Sequence, residues 1–496
     1  MNLKSSVIKG AFSLGGARLV VTLLNAAGIL ILARLLTPAD FGIVAIATAV
    51  LTVAMSATEA SIQPALIQCR EPTREHLDTV WTLSLIRSFL IFAAMLACAW
   101  PLSRAYGDAR LVPVLMVSGI TGAFAEFYNP RLTMAMREMR FAPTVLFQIG
   151  QKSFGLILAL VLAIVLKSYW AIIIGNAVGA VAASIGSHFL PRYRPRFSMT
   201  RFRDIWGFSG WMFVNQLCET LNWRFDQLVA GLGVTKAQLG FYSMADNLAV
   251  IPSRELTGAM RNALFAGLSC LSEQPKRLRA SFMRAQSSAA MITAPAAVGL
   301  ALTADPAVRL LLGEKWVASI PFVQILALTY AIDTFINVVR PLGMAMGQTK
   351  YLFLRQLAGL SIRIPLIIAG LISGGLAGAA IGRALGSLAN VLISMLIVRR
   401  LLGLSVSRQV ASHAETLWGL VAMSGVLMLT QLSFPPTLKE TPLLQLPLLI
   451  TLAGLAYCGT IVAIWRLRGG HDGPVSEIAG ILAGVFRKRP REGAAT

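Results

Sequence analysis

Charge is scarce in this chain: Asp, Glu, Lys and Arg make up 13% of its 496 residues, about half their share in an ordinary soluble domain. Acids are scarcer still, with 22 Asp and Glu against 44 Lys and Arg. The four histidines (His76, His188, His413 and His471) lie far apart, which excludes an H-E-x-x-H metal motif. Five cysteines (Cys69, Cys98, Cys218, Cys270 and Cys458) are odd in number and show no disulfide or metal spacing, so they read as packing residues. No G-x-x-x-x-G-K-[ST] phosphate loop occurs, which argues against ATP-driven chemistry by this chain alone. No cofactor is expected. Also missing is any long polar insertion: the connections between apolar runs reach at most roughly twenty residues, short of a domain of about 50 or more.

What is present is apolar sequence, 56% hydrophobic with a mean hydropathy of +0.69. Crossing the hydrocarbon layer takes roughly 20 helical residues, and about fourteen windows of that kind can be marked along the chain. The runs are continuous rather than alternating, which excludes a β-barrel. The fold class is therefore an all-α polytopic membrane protein with about 14 transmembrane helices. MNLKSSVIKG could open a signal peptide, but Arg18 interrupts the run that follows and the run continues to Ala33, so it is expected to be the first span.

The net charge of +22 is distributed by topology and does not point to nucleic acid. Basic clusters such as Arg192, Arg194, Arg196, Arg201 and Arg203, or Arg487 to Arg491, fall in the tails and even-numbered loops. The other side has Arg34, Arg104, Arg110, Lys167, Lys236, Arg309, Lys315 and Lys439. The asymmetry predicts that both termini are cytoplasmic.

Polar residues inside apolar runs are the candidates for function, because a charge at mid-membrane costs about 3 kcal/mol on insertion scales. In NQLCETLNWRFDQL, Asn215, Glu219, Asn222 and Asp226 fall at i, i+4, i+7 and i+11, one stripe of a helix. Arg18 and Asn25 share a stripe in the first span, Arg254 and Arg261 one in the eighth, Asp333 and Arg340 one in the tenth, and Arg383, Ser387 and Asn390 one in the twelfth. Such stripes either line a wet cavity or bind helices to each other. An excess of arginine suits an anionic ligand, since guanidinium pairs bidentately with phosphate and stays charged. The candidate substrate-binding residues are Arg18, Asn25, Arg224, Arg254, Arg261, Arg340, Arg363 and Arg383. Candidates for ion coupling, to H⁺ or Na⁺, are Glu59, Glu219, Asp226 and Asp333; Glu219 and Asp226 could equally neutralise Arg224.

TPADFG (Thr37 to Gly42) recurs as TKAQLG (Thr235 to Gly240), and Glu126, Asn129, Pro130 and Arg131 are echoed by Asp333, Asn337, Arg340 and Pro341. The period is six spans, which predicts two pseudo-symmetric six-helix lobes, residues 1–204 and 205–408, facing a central cleft. Two further helices (409–468) and a basic cytoplasmic tail (469–496) stand outside the repeat.

TPADFG, the run from Asp226 through Gly231, Gly240, Tyr242 and Pro252, LFAGLS (Leu264 to Ser269), and GEKW (Gly313 to Trp316) before Pro321 resemble the bacterial polysaccharide exporters. More narrowly, the chain resembles the Wzx-type flippases of the multidrug/oligosaccharidyl-lipid/polysaccharide superfamily. The resemblance implies translocation of undecaprenyl-diphosphate-linked oligosaccharide across the bacterial inner membrane, with Arg18, Arg254 and Arg261 at places associated with the diphosphate in related lipid II flippases. It implies no enzyme activity. The expected partners are that lipid-linked sugar, membrane lipids, and a polysaccharide polymerase and chain-length regulator. A multidrug-type ion-coupled exporter is one alternative, and a membrane glycosyltransferase or polymerase acting on lipid-linked sugars is another.

Overall fold

A computed structural model describes residues 3–58, 66, 72–125, 127–137, 142–189, 193–202, 210–434 and 441–467. Inside helices, the side chains of residues 3–15, 17–19, 136, 137, 143, 210–215, 254–263 and 266 lie outside that description. The helices are α1 (Leu3–Leu35), α2 (Pro38–Ser56), α3 (Arg74–Ala105), α4 (Leu111–Ala125), α5 (Pro130–Arg137), α6 (Ala142–Leu166) and α7 (Trp170–Phe189). They continue with α8 (Gly210–Gly233), α9 (Lys236–Ser269), α10 (Pro275–Leu302), α11 (Ala304–Leu311), α12 (Ile320–Asp333) and α13 (Val339–Ala345). The last are α14 (Thr349–Leu402), α15 (Val406–Ala411), α16 (Ala414–Ser433) and α17 (Pro442–Leu467). No strand occurs among the described residues.

Helix is the only open-ended solution in hydrocarbon, because it satisfies its backbone within one segment. Among the described residues, nine helices are long and apolar enough to cross a membrane, and two shorter apolar segments, Val20–Leu35 and Leu111–Ala125, accompany them. One of the nine, α14, is 54 residues long and holds two helices merged across Gly374 and Gly375. Gly375 has φ +58°, ψ −142°, a conformation open to glycine and not to residues with a Cβ. The expected seventh and eighth spans are helices too, α8 and α9, and their described residues are not among the nine.

The chain divides into two compact units. The first comprises Met1–Met244 and Ile364–Ala379. Its core is built from Ile43 and Ile46 of α2, Ile91 and Met95 of α3, and Leu111 and Leu115 of α4, each at most 1% exposed. The second comprises Ala245–Arg363 and Ala380–Thr496. There α16 and α17 pack on α10 through Met291, Met423, Leu427, Leu449 and Tyr457, whose hydroxyl donates to the Met291 carbonyl at 2.8 Å. Large apolar side chains such as Val165 (72% exposed) and Leu455 (72%) face outward, as lipid-facing surfaces require.

TPADFG and TKAQLG owe their pattern to capping. Thr37 accepts from the Asp40 N–H while the Asp40 carboxylate accepts from the Thr37 N–H at 2.9 Å, and Thr235 and Gln238 repeat the exchange at 3.3 and 3.1 Å. Each is a reciprocal capping box opening a helix. The glycine five positions on serves a close approach: a Cβ on Gly42 would meet the Lys236 carbonyl oxygen at 1.8 Å, and one on Gly240 would meet that of Pro38 at 1.8 Å. The two matching turns therefore touch reciprocally within the first unit. Gly42→Ala or Gly240→Ala forces backbone against backbone, so each should cost about 1–3 kcal/mol or more and lower the melting temperature of the detergent-purified protein; an unchanged melting temperature would sink the close-packing account.

His413, just before α16, is 3% exposed, with its ring edge-on to Phe335 at a centroid distance of 4.9 Å. Burial pushes its imidazole down to about 4. The unfolded chain binds that proton below about pH 6.5, so the stabilisation is complete above that pH and is lost as pH falls toward 4. Thermal melting should weaken between pH 7 and 5, and His413→Gln should flatten the pH dependence.

Candidate functional site

The second unit holds a buried polar cluster drawn from α9, α12 and both halves of α14. Arg383 is 0% exposed. Its guanidinium pairs with Asp246 Oδ1 at 2.9 Å and donates to the Tyr330 hydroxyl at 2.7 Å, and that hydroxyl donates to Asp246 Oδ1 at 2.6 Å. The triangle links three helices, α9, α12 and α14. Asp333, one turn beyond Tyr330, lies against Ser387 with Arg363, Arg383 and Arg355 around it. Arg355 donates to Asn390 Oδ1 at 3.4 Å.

Glycines let the halves of α14 approach. A Cβ on Gly386 would strike the Arg363 side chain at 2.8 Å, and one on Gly359 would sit 3.4 Å from Asn390. Positions 359 and 390, then 363 and 386, adjoin in the order of an antiparallel pair, so arginines 20 positions apart in sequence reach one cluster.

The first unit has its own buried carboxylate. Asp226 on α8, 1% exposed, accepts from the Tyr242 hydroxyl of α9 at 2.6 Å. Along the same helix the Thr220 hydroxyl meets Ser56 of α2 at 2.6 Å, Asn222 donates back to the Cys218 carbonyl at 3.2 Å, and Arg224 donates to Gln227 at 3.0 Å. Part of NQLCETLNWRFDQL thus joins helices to each other.

The remaining expected residues fall as follows. Asn25 is exposed on α1, and Glu219 and Arg340 are half-buried. Arg18 falls in α1, and Arg254 and Arg261 in α9, with side chains outside the described residues; Glu59 lies outside them altogether. Of the expected residues, Arg363, Arg383 and Asp333 are brought together. Asp246, Tyr330, Tyr242 and Arg355 complete the two sites and were not among the site residues read from sequence. Tyr330 carried a local signal, standing three residues before Asp333 and so on its face. Among the described residues no group of three or more His, Cys, Asp and Glu could hold a metal ion.

The apolar helices and the charges embedded among them define a polytopic, all-α membrane protein. In sequence the chain belongs to the polysaccharide biosynthesis protein family, whose model matches residues 31–321. It is similar to the succinoglycan biosynthesis transport protein ExoT of Rhizobium meliloti, 24% identical over 65% of this chain and 66% of that protein, so the match spans about two thirds of the relative. It is also similar to the lipopolysaccharide biosynthesis protein WzxC of Escherichia coli, 22% identical over 75% of this chain and 76% of the other. Among solved structures, the lipid II flippase MurJ in an inward closed conformation shares the fold with a TM-score of 0.72 at 14% identity, covering 91% of this chain and 98% of that one. An inward-facing multidrug transporter of the MATE family and MOP superfamily gives 0.59 at 17% identity, over 79% and 96%.

Removing one member of a buried ion pair strands the other, at about 3–5 kcal/mol, whereas replacing both with apolar groups can be close to neutral. Arg383→Met should therefore destabilise strongly, and Arg383→Met combined with Asp246→Leu should recover much of the loss. Additive losses in melting temperature would show that the pair is not coupled.

Proposed function

We propose that the chain is a flippase that moves undecaprenyl-diphosphate-linked oligosaccharide across the bacterial inner membrane for exopolysaccharide or lipopolysaccharide biosynthesis. The observation that carries this reading is the gathering of arginines: among the described residues, Arg355, Arg363 and Arg383 cluster with two carboxylates, Asp246 and Asp333, inside the helices of the second unit. A diphosphate is the anion such a gathering suits, because guanidinium holds phosphate bidentately at any physiological pH. The family, relatives named for succinoglycan transport and lipopolysaccharide biosynthesis, and the fold of a lipid II flippase support the class of cargo.

On this reading the two repeat-related lobes, residues 1–204 and 205–408, rock about the substrate while the isoprenoid tail stays in lipid, which spares the sugars a passage through hydrocarbon. Helices α16 and α17 offer apolar surface to the tail. The positive-inside asymmetry supports a cytoplasmic location for both termini. A polymerase and a chain-length regulator would receive the product. If an ion drives the cycle, the candidates to carry it are Glu59, Glu219, Asp226 and Asp333; of these Asp226 is 1% exposed and accepts from the Tyr242 hydroxyl at 2.6 Å.

The test uses purified protein in liposomes carrying a labelled undecaprenyl-diphosphate oligosaccharide. Arg18→Ala and Arg254→Ala should each abolish flipping while leaving the protein inserted. Undiminished flipping by both variants would remove the diphosphate assignment from these arginines.

A further inference from the structure

A second cationic site lies in the first unit, away from the residues described above. A cavity of about 790 Å³ opens between the start of α3, the start of α5, the end of α7 and the segment that follows it. Three arginines from three different segments line it: Arg74 opens α3, Arg131 is the second residue of α5, and Arg194 follows α7. Arg74 and Arg131 both act electrostatically on Tyr193, another wall residue, so their charges converge on one region.

The acids of this wall are engaged. Asp78, its side chain 8% exposed, accepts from the Tyr193 hydroxyl and from the Arg196 N–H at 3.3 Å, and stands 3.9 Å from Arg74 Nε. Glu75 pairs with Arg201 at 3.0 Å. Among the described residues no carboxylate pairs with Arg131 or Arg194. His188 contributes a ring whose Nε2 accepts from the Trp81 indole at 3.2 Å and whose Nδ1 lies 2.9 Å from the Ser184 carbonyl.

The wall is held before any ligand arrives. Residues 193–202 run along the first turns of α3, tied by Asp78 to Arg196, by Thr82 to the Ser198 N–H at 3.1 Å, and by Thr79 to the Arg201 N–H at 3.4 Å. Arg74 donates to the Arg194 carbonyl at 3.5 Å, joining two of the three arginine-bearing segments. Helices α3 and α7 are both long and apolar enough to cross a membrane, and the cavity lies beside the start of one and the end of the other. Phe189, 82% exposed, lines the same rim.

We propose that this pocket binds a phosphate group, held by Arg74, Arg131 and Arg194, independently of the molecule the protein transports. Basic pockets between the ends of membrane helices recognise lipid phosphates in this way, and a free phosphate or diphosphate presents the same oxygens to the same guanidinium groups. Exposed Phe189 favours a ligand with an apolar continuation.

Full-length protein in phosphatidylcholine nanodiscs can be titrated with phosphatidylglycerol and, separately, with inorganic pyrophosphate, reading Trp81 beside the pocket by fluorescence and bound lipid by native mass spectrometry. Phosphatidylglycerol binding that weakens about tenfold in Arg131→Gln/Arg194→Gln and resists pyrophosphate supports a lipid ligand. Pyrophosphate binding with the same loss supports a free anion. Equal binding by wild type and variant, or binding by neither probe, overturns the proposal. Both substituted side chains are exposed, so folding should survive; if the double variant does not insert, each single substitution should lower affinity about threefold by the same measure, and unchanged affinity in both would overturn it equally.

Discussion

Hydrocarbon offers no hydrogen bonds, so every polar group placed in it must find its partner within the protein. That constraint explains why this chain uses so few charges and why those it keeps are interlocked. Arg383, with no exposed surface, is tolerable because Asp246 and Tyr330 meet its guanidinium. Tyrosine solves the same problem repeatedly: its hydroxyl donates to Asp78 from Tyr193, to Asp226 from Tyr242 and to Asp246 from Tyr330. Tyr106 and Tyr457 donate to the carbonyls of Leu228 and Met291. A phenol brings an apolar body and one donor, which suits a buried carboxylate that needs a partner without a second charge.

Local physics was legible in the sequence; long-range pairing was not. Thr37 with Asp40, and Thr235 with Gln238, are capping boxes whose residues stand three apart, so the whole pattern fits in a stretch short enough to recur visibly. Helical phase put Arg383, Ser387 and Asn390 on one face correctly as a matter of geometry. Phase cannot say what a face meets. Asp246 and Arg383 are 137 positions apart, and nothing near either residue names the other. Hydropathy marked α8 and α9 as spans but could not say which helices their polar stripes would meet.

Likeness of fold at 14% identity is intelligible on the same grounds. Lipid-facing and helix-packing positions accept many apolar residues of similar volume, so most of the chain is free to drift while the helices keep their places. Close approaches do not have that freedom. Gly42 against Lys236 and Gly240 against Pro38 leave no room for a methyl group, and they lie in turns that the sequence repeats.

Fold alone does not choose between a multidrug transporter and a lipid flippase, since solved structures of both share the fold of this chain. The chemistry of the embedded groups is the ground for the reading proposed above. A cationic substrate would be attracted by carboxylates that a proton can discharge, releasing it. Arginine cannot be discharged, and three of them gather here with two aspartates, one already joined to Arg383. A cation entering such a cluster meets fixed positive charge that no pH change removes, which is why the reading proposed above favours an anionic cargo. The glycine kink at Gly374 and Gly375 lies between Arg363 and Arg383 in the helix that bears both, so the two guanidinium groups are carried by separate helical halves.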